Sequence, residues 1–68
     1  MMLNITRHAR DKMSALAINL EMIRAPLKRG AKFRIRGGKF RAEYSFFAVV
    51  YRPLSNGVYK IITVYETK

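Results

Sequence analysis

Apolar residues in the first part of the chain recur every three or four positions. They are Ile5, Ala9, Met13, Leu16, Leu20, Ile23 and Leu27. This spacing is typical of an amphipathic helix whose apolar side packs in a core and whose other side faces solvent. The chain is therefore predicted to begin with a helical region.

One apolar residue, Ile18, does not fit a single continuous helix, because it would point away from the apolar stripe into water. A break just before Asn19 removes the conflict, since Asn19 can then serve as the N-cap of a second helix. We predict two helices, at about residues 4–16 and 19–28. Pro26 cannot donate to the helix ladder, so the second helix is expected to end there or to finish in an irregular turn.

From Ala31 onward, apolar and polar residues alternate with the period of two that is typical of strands. Gly37 and Gly38 predict a two-residue hairpin turn, because glycine readily takes the positive φ values of such turns. Further strands are predicted at residues 44–52 and 58–66. The expected fold class is α+β, with one or two N-terminal helices packed on a three- to four-stranded antiparallel meander.

The same patterns predict which residues fill the core between helices and sheet. On the helices we expect Ile5, Met13, Leu16, Leu20 and Ile23. On the strands we expect Phe33, Ile35, Phe46, Val50, Ile62 and Val64. A core of this size is small, and a partner protein or a second copy of the chain, as in a homodimer, would add to it.

Composition narrows the class of protein. The 68 residues are enough for one domain, and half of them are hydrophobic, which argues against a disordered chain. No cysteine is present, so neither disulfides nor thiolate metal sites can brace the fold. No apolar run has the length of a membrane span or the form of a signal peptide. We expect a cytoplasmic protein without a cofactor, a bound metal or a membrane partner.

Charge points to a polyanionic partner. The chain has 14 Lys and Arg against 4 Asp and Glu, a net charge of +10. Such a balance is expected of a protein whose partner is a polyanion: RNA, DNA, an acidic protein or an anionic membrane surface. Among the nucleic acids we expect RNA rather than DNA. The residues expected to bind nucleic acid are Arg24, Lys28, Arg29, Lys32, Arg34, Arg36, Lys39 and Arg41. The last five are predicted to share one face of the hairpin; the alternative is a solvated face whose charges prevent edge-to-edge aggregation.

Few side chains could carry catalysis. His8 is the only histidine, and it lies at the boundary between the apolar stripe and solvent, a position that suits proton transfer. Thr63 and Tyr65 are two residues apart on the last strand and share a face, where their hydroxyls could hold a phosphate. The alternative is that His8 is an ordinary surface residue and that the other two are simply good strand formers.

Several short segments together resemble a known family. They are the stretch from Ile5 to Met13 with its His-Ala pair, Ile18-Asn19, Gly30, the strand Ala48–Tyr51 and the closing Ile-Thr-Val-Tyr at 62–65. The sequence is similar to a bacterial and phage family of small domains grouped with RelE-, ParE- and BrnT-type toxins. The resemblance spans nearly the whole chain.

The resemblance implies a RelE-like domain in which RNA lies across the sheet and is cut without metal by attack of a 2′-hydroxyl on the adjacent phosphate. It implies that His8 is the general base or acid and that Thr63 positions the phosphate. Arg41 or Arg52 would stabilise the developing negative charge, with Tyr65 as a further site residue. An acidic antitoxin or an acidic host protein is a further candidate partner.

Three hypotheses about function remain open at this stage. The first is a metal-independent endoribonuclease that acts as a toxin or phage effector. The second is a non-catalytic regulator that binds RNA or DNA on the same scaffold. The third is a basic inhibitor of an acidic host protein.

Overall fold

The computed structural model describes residues 1–68, with two helices on one face of a five-stranded sheet. The elements are β1 (Met2–Ile5), α1 (Arg7–Leu16), α2 (Leu20–Arg29), β2 (Ala31–Ile35), β3 (Lys39–Tyr44), β4 (Phe47–Pro53) and β5 (Val58–Glu66). The sheet order is β1-β5-β4-β3-β2. The predicted α+β class and antiparallel meander, here β2 to β5, are confirmed. Neither helix is long and apolar enough to cross a membrane.

The start of the chain differs from the prediction, because residues 2–5 form a strand and not the first turn of a helix. β1 pairs in parallel with the beginning of β5 and forms one edge of the sheet. The helix begins at Arg7, since the Thr6 side chain accepts a hydrogen bond from the Ala9 backbone N–H and caps it. Ile5 fits the spacing of a short strand with Leu3 as well as that of a helix with Ala9, so periodicity could not distinguish the two.

The predicted break between the helices is confirmed. Ala17 takes the left-handed conformation, with φ 57° and ψ 42°, and ends α1. Ile18 is buried, and its N–H donates to the carbonyl of Met13 at 2.8 Å. The Asn19 side chain then accepts a hydrogen bond from the Met22 N–H at 2.9 Å, as expected of an N-cap.

The second helix continues through Pro26 to Arg29, so the proline does not end it. Gly30 follows at the C-cap and donates its N–H to the Pro26 carbonyl at 2.9 Å. A Cβ atom at Gly30 would lie 2.6 Å from the Glu43 carbonyl oxygen and 2.7 Å from that of Pro26. Only glycine therefore fits where the end of α2 meets β3.

The hairpin of β2 and β3 has a three-residue loop, Arg36 to Gly38, and not the predicted two-residue turn. Ile35 consequently pairs with Lys39 and Phe33 pairs with Arg41. Because paired residues share a face and a slip of one residue reverses every side chain, apolar residues of β2 lie opposite cations of β3. The prediction that five cations share one face is wrong.

The core lies between the helices and one face of the sheet, called here the helix-covered face. It contains Ala9, Met13, Ile18, Ile23, Leu27, Ala42, Phe47, Val49, Tyr51, Ile61 and Val64. The predicted core residues Met13, Ile23 and Val64 are thus confirmed. Ile5, Leu16 and Phe46 are half-buried and pack against this cluster.

Other predicted core residues lie elsewhere. Leu20 is 48% exposed and lines a groove beside β1, because Asn19 and not the first helix sets the phase of α2. Phe33, Ile35 and Val50 lie on the opposite face of the sheet, called here the helix-free face, because each of them pairs with a cation of β3. Val50 is buried, as predicted, but on this face and not under the helices. Ile62 is half-buried and lines the groove described below.

Candidate functional site

A β-bulge in β5 determines which residues of this strand reach the helix-free face. Val50 pairs with Thr63 and Arg52 pairs with Lys60, so β5 has one residue more than β4 between these pairs. The unpaired residue is Ile62. Val50 and Arg52 are two apart and share a face, and Lys60 and Thr63 therefore share it too. In a regular strand their spacing of three would place them on opposite faces.

Thr6 ties this bulge to the start of α1. Its Oγ1 donates a hydrogen bond to the Ile62 carbonyl at 3.0 Å and accepts one from the Ala9 N–H at 3.1 Å. Its backbone N–H donates to the Ile61 carbonyl at 3.1 Å. One residue thus caps the helix and holds it against β5, which fixes the position of His8 two residues later.

A shallow groove lies where α1 begins and the helix-free face ends. Its volume is about 340 Å³, and it is lined by Thr6, His8, Lys39, Arg52, Lys60 and Ile62. We call it the His8 groove. Its three cations come from three successive strands of the sheet, and no carboxylate lines it. The Arg52 guanidinium donates from Nη2 to the Gly37 carbonyl at 2.8 Å, which holds it in place and leaves its charge uncompensated.

The five residues predicted to be catalytic divide between two parts of the molecule. His8 and Arg52 meet in the His8 groove. Thr63 and Tyr65 lie further along β5, paired with Val50 and Ala48, and do not line the groove. Arg41 pairs with the same Val50 on the other side. Arg41, Thr63 and Tyr65 therefore lie on the helix-free face, outside the groove that contains His8.

Arg41 differs from Arg52 in its surroundings. Its Nε lies 3.0 Å from the Glu43 carboxylate Oε2, and its guanidinium lies over the Phe33 ring at 4.6 Å from the ring centre. An acid thus offsets the charge of Arg41. Of the two arginines predicted to stabilise negative charge, Arg52 lies in the groove with His8, and Arg41 lies outside the groove and pairs with Glu43.

The cations predicted to bind nucleic acid are also divided between different surfaces of the molecule. Lys39 and Arg41 lie on the helix-free face, whereas Lys32 and Arg34 pair with Ala42 and Phe40 on the opposite side. The remaining four are Arg24, Lys28, Arg29 and Arg36. Three of these are in α2 and Arg36 is in the exposed β2–β3 loop. Arg24 is partly engaged, since it donates to the Met1 carbonyl and pairs with Glu21.

Sequence reasoning did not identify Lys60 as a site residue. Lys60 lies within an apolar strand, between Tyr59 and Ile61, and only the bulge shows that it shares a face with Thr63.

Tyr51 is buried and does not line the His8 groove. It packs against Phe40 and Tyr59 on the helix-covered side, and burial, with a smaller contribution from Tyr59, raises the pKa of its phenol above the ordinary value.

Comparison with known proteins adds the fold relationship. No family model matches the chain, and no curated protein matches it. Among solved structures it is similar to a chain of the toxin–antitoxin complex RelBE2 from Mycobacterium tuberculosis, with a TM-score of 0.65 and 20% sequence identity. The match covers 97% of this chain and 96% of that one. The protein therefore has, over nearly its whole length, the α+β fold of a chain in the RelBE2 complex.

Proposed function

We propose that the protein binds RNA on the helix-free face and cleaves it at the His8 groove without a metal ion. The observation that carries this proposal is the meeting of His8 with Lys39, Arg52 and Lys60 in a groove that no carboxylate lines. A neutral imidazole can accept a proton, and the cations can hold a phosphate and the negative charge that develops on it.

The reaction follows from these groups. The His8 imidazole accepts the proton of a ribose 2′-hydroxyl, and the 2′-oxygen attacks the adjacent phosphorus. The oxygens of the resulting phosphorane carry extra negative charge, which the Arg52 guanidinium stabilises. The bond to the 5′-oxygen breaks, and this oxygen takes up a proton, for which the Lys39 and Lys60 ammonium groups are available donors. The products are a 2′,3′-cyclic phosphate and a free 5′-hydroxyl.

RNA is the expected substrate because this reaction uses the 2′-hydroxyl that DNA lacks. The strand would continue from the groove across the helix-free face, past Arg41, Thr63 and Tyr65. The fold shared with a chain of a toxin–antitoxin complex supports a toxin role and an acidic antitoxin that covers the basic surface. It also supports a place of action in the cytoplasm, where RNA is accessible.

Cleavage of RNA in the presence of EDTA tests the proposal. Incubation with total RNA is expected to give fragments that end in a 2′,3′-cyclic phosphate. An oligonucleotide of single sequence, identified from those fragments, is then compared with one that has deoxyribose at the cleaved position alone. The deoxy substrate should resist cleavage. Cleavage of the deoxy substrate as well as the all-RNA substrate would contradict the proposed reaction. So would a failure to cleave RNA under any condition tried.

RNA affinity should fall steeply as the salt concentration rises, and it should depend on the cations of the helix-free face more than on those of the helix-covered face. Because bound phosphates release counterions, the logarithm of affinity should fall with the logarithm of salt concentration by about 0.7 per phosphate contact. Charge reversal of Lys39 and Arg52 to Glu is expected to weaken binding to a 2′-O-methyl RNA more than the same reversal of Lys32 and Arg34. Fluorescence anisotropy over a range of salt concentrations measures both.

The two double variants change the net charge equally, so the comparison isolates the position of the charge. An equal loss for both would contradict an RNA path confined to the helix-free face. Tight RNA binding without cleavage would favour the non-catalytic regulator. Failure to bind RNA or DNA at low salt, together with binding to an acidic protein, would favour the inhibitor hypothesis.

A further inference from the structure

Phe33 is a large aromatic residue that the fold leaves in solvent. It is 42% exposed and lies in the middle of β2, an edge strand of the sheet. The three-residue loop after β2 turns it onto the helix-free face, where it pairs with Arg41. An exposed phenylalanine contributes little to the core, and its place on the basic face suggests contact with a partner.

The Phe33 ring already makes a cation–π contact with Arg41. The Arg41 guanidinium lies over it at 4.6 Å from the ring centre, and Glu43 holds that guanidinium through an ion pair at 3.0 Å. Glu43 also offsets the charge of Arg41, whereas no carboxylate lines the groove that contains Arg52 and Lys60. The arrangement therefore presents flat surfaces at Phe33 and Arg41, and free positive charge at the groove.

We propose that Phe33, with Arg41, is a stacking site for an unpaired base of single-stranded RNA. This inference rests on the proposed function and adds its substrate class. Aromatic rings and guanidinium planes are the surfaces on which proteins stack splayed RNA bases. In a duplex the bases stack on one another and are not available, so the site selects unpaired RNA.

The spacing between this site and the groove fits one RNA strand. Phe33 on β2 is level with Val50 on β4, two strands or about 10 Å away, and Arg52 lies two residues or about 7 Å further along β4, so that Phe33 and Arg52 are about 12 Å apart. A stacked strand covers this distance in about three to four nucleotides. A base on Phe33 and a phosphate beside Arg52 can thus belong to the same strand.

Charge decides against a second copy of the chain as the occupant of this site. Two copies would each bring a net charge of +10, and contact through this face would place Lys39, Arg52 and Lys60 of both near one another. A single-stranded polyanion with exposed bases offsets that charge and covers the ring. The exposed aromatic ring and the basic groove are therefore complementary to the same ligand.

The test uses a tryptophan as reporter, since the chain has none of its own. Phe33→Trp is titrated with a single-stranded 2′-O-methyl RNA and with the same RNA in a duplex. Stacking on a base should quench the tryptophan fluorescence with the single strand and not with the duplex. Phe33→Ala is expected to weaken binding of the single strand by about 5- to 150-fold, the equivalent of 1–3 kcal/mol for one stacked base.

The matched control is Leu20→Ala, which also removes an exposed apolar side chain, on the helical side of the molecule. It should leave RNA affinity unchanged. Unchanged affinity of Phe33→Ala, or unquenched tryptophan with RNA bound, would overturn the inference, as would conversion of a dimer to a monomer by Phe33→Ala. Because 2′-O-methyl RNA cannot be cleaved, a failure of stacking is distinguishable from a failure of the proposed cleavage.

Discussion

Replacing His8 with Ala is expected to slow RNA cleavage by about 10²–10⁴-fold, the usual contribution of a positioned acid or base. His8 carries the only imidazole in its groove and is the base of the proposed reaction, whereas the neighbouring Lys39, Arg52 and Lys60 are cations. RNA affinity should hardly change, because those cations remain. Single-turnover cleavage and anisotropy with 2′-O-methyl RNA measure the two quantities separately.

Arg7→Ala is the matched control for this prediction. Arg7 is exposed, precedes His8 on the same helical turn and does not line the groove. Its replacement should leave the cleavage rate within a few-fold of the parent. Imidazole added to the buffer should restore part of the activity of His8→Ala. Cleavage by His8→Ala at the parental rate would show that another group is the base.

Local sequence signals were sufficient to predict that the helical region is divided into two helices. Ile18 would have been in water in a continuous helix, and Asn19 could cap a new one, so two adjacent residues located the break. The strand at Val58–Glu66 was equally clear from its β-branched residues. These features depend on interactions within a few residues, which is why they can be read from the sequence.

The faces of the hairpin could not be read in the same way. The sequence Arg36-Gly37-Gly38 fits a loop of two or three residues, and the choice reverses one strand relative to the other. The three-residue loop puts Phe40 on the helix-covered side and Phe33 on the helix-free side. Tertiary packing determines that choice, so sequence reasoning placed Phe33 in the core.

The site was predicted in part. His8 and Arg52 were both identified from the sequence and line one groove, and their roles there stay a prediction. Lys60 was missed because the bulge at Ile62 has no local signature in the sequence. The same bulge directs Thr63 onto the helix-free face outside the groove. A contact between the distant residues Thr6 and Ile62 accompanies this geometry and could not be inferred from spacing.

Replacing Ile23 with Ala is expected to lower the free energy of unfolding by about 2–5 kcal/mol. Ile23 is fully buried in the cluster between the helices and the sheet, so the truncation removes buried apolar surface and leaves a cavity. Such a loss is a large part of the about 5–15 kcal/mol that stabilises a typical domain. Equilibrium urea unfolding, followed by circular dichroism, gives the value.

Leu20→Ala provides the comparison within the same helix, three residues earlier. The periodicity of the sequence predicted that Leu20 lies in the core, but Leu20 is 48% exposed. Its truncation should therefore lower the free energy of unfolding by less than about 1 kcal/mol. The difference between the two variants tests the phase of α2, and with it the role of Asn19 as the N-cap of that helix. Equal destabilisation by both would show that Leu20 packs in the core after all, because an exposed side chain has too little buried surface to lose.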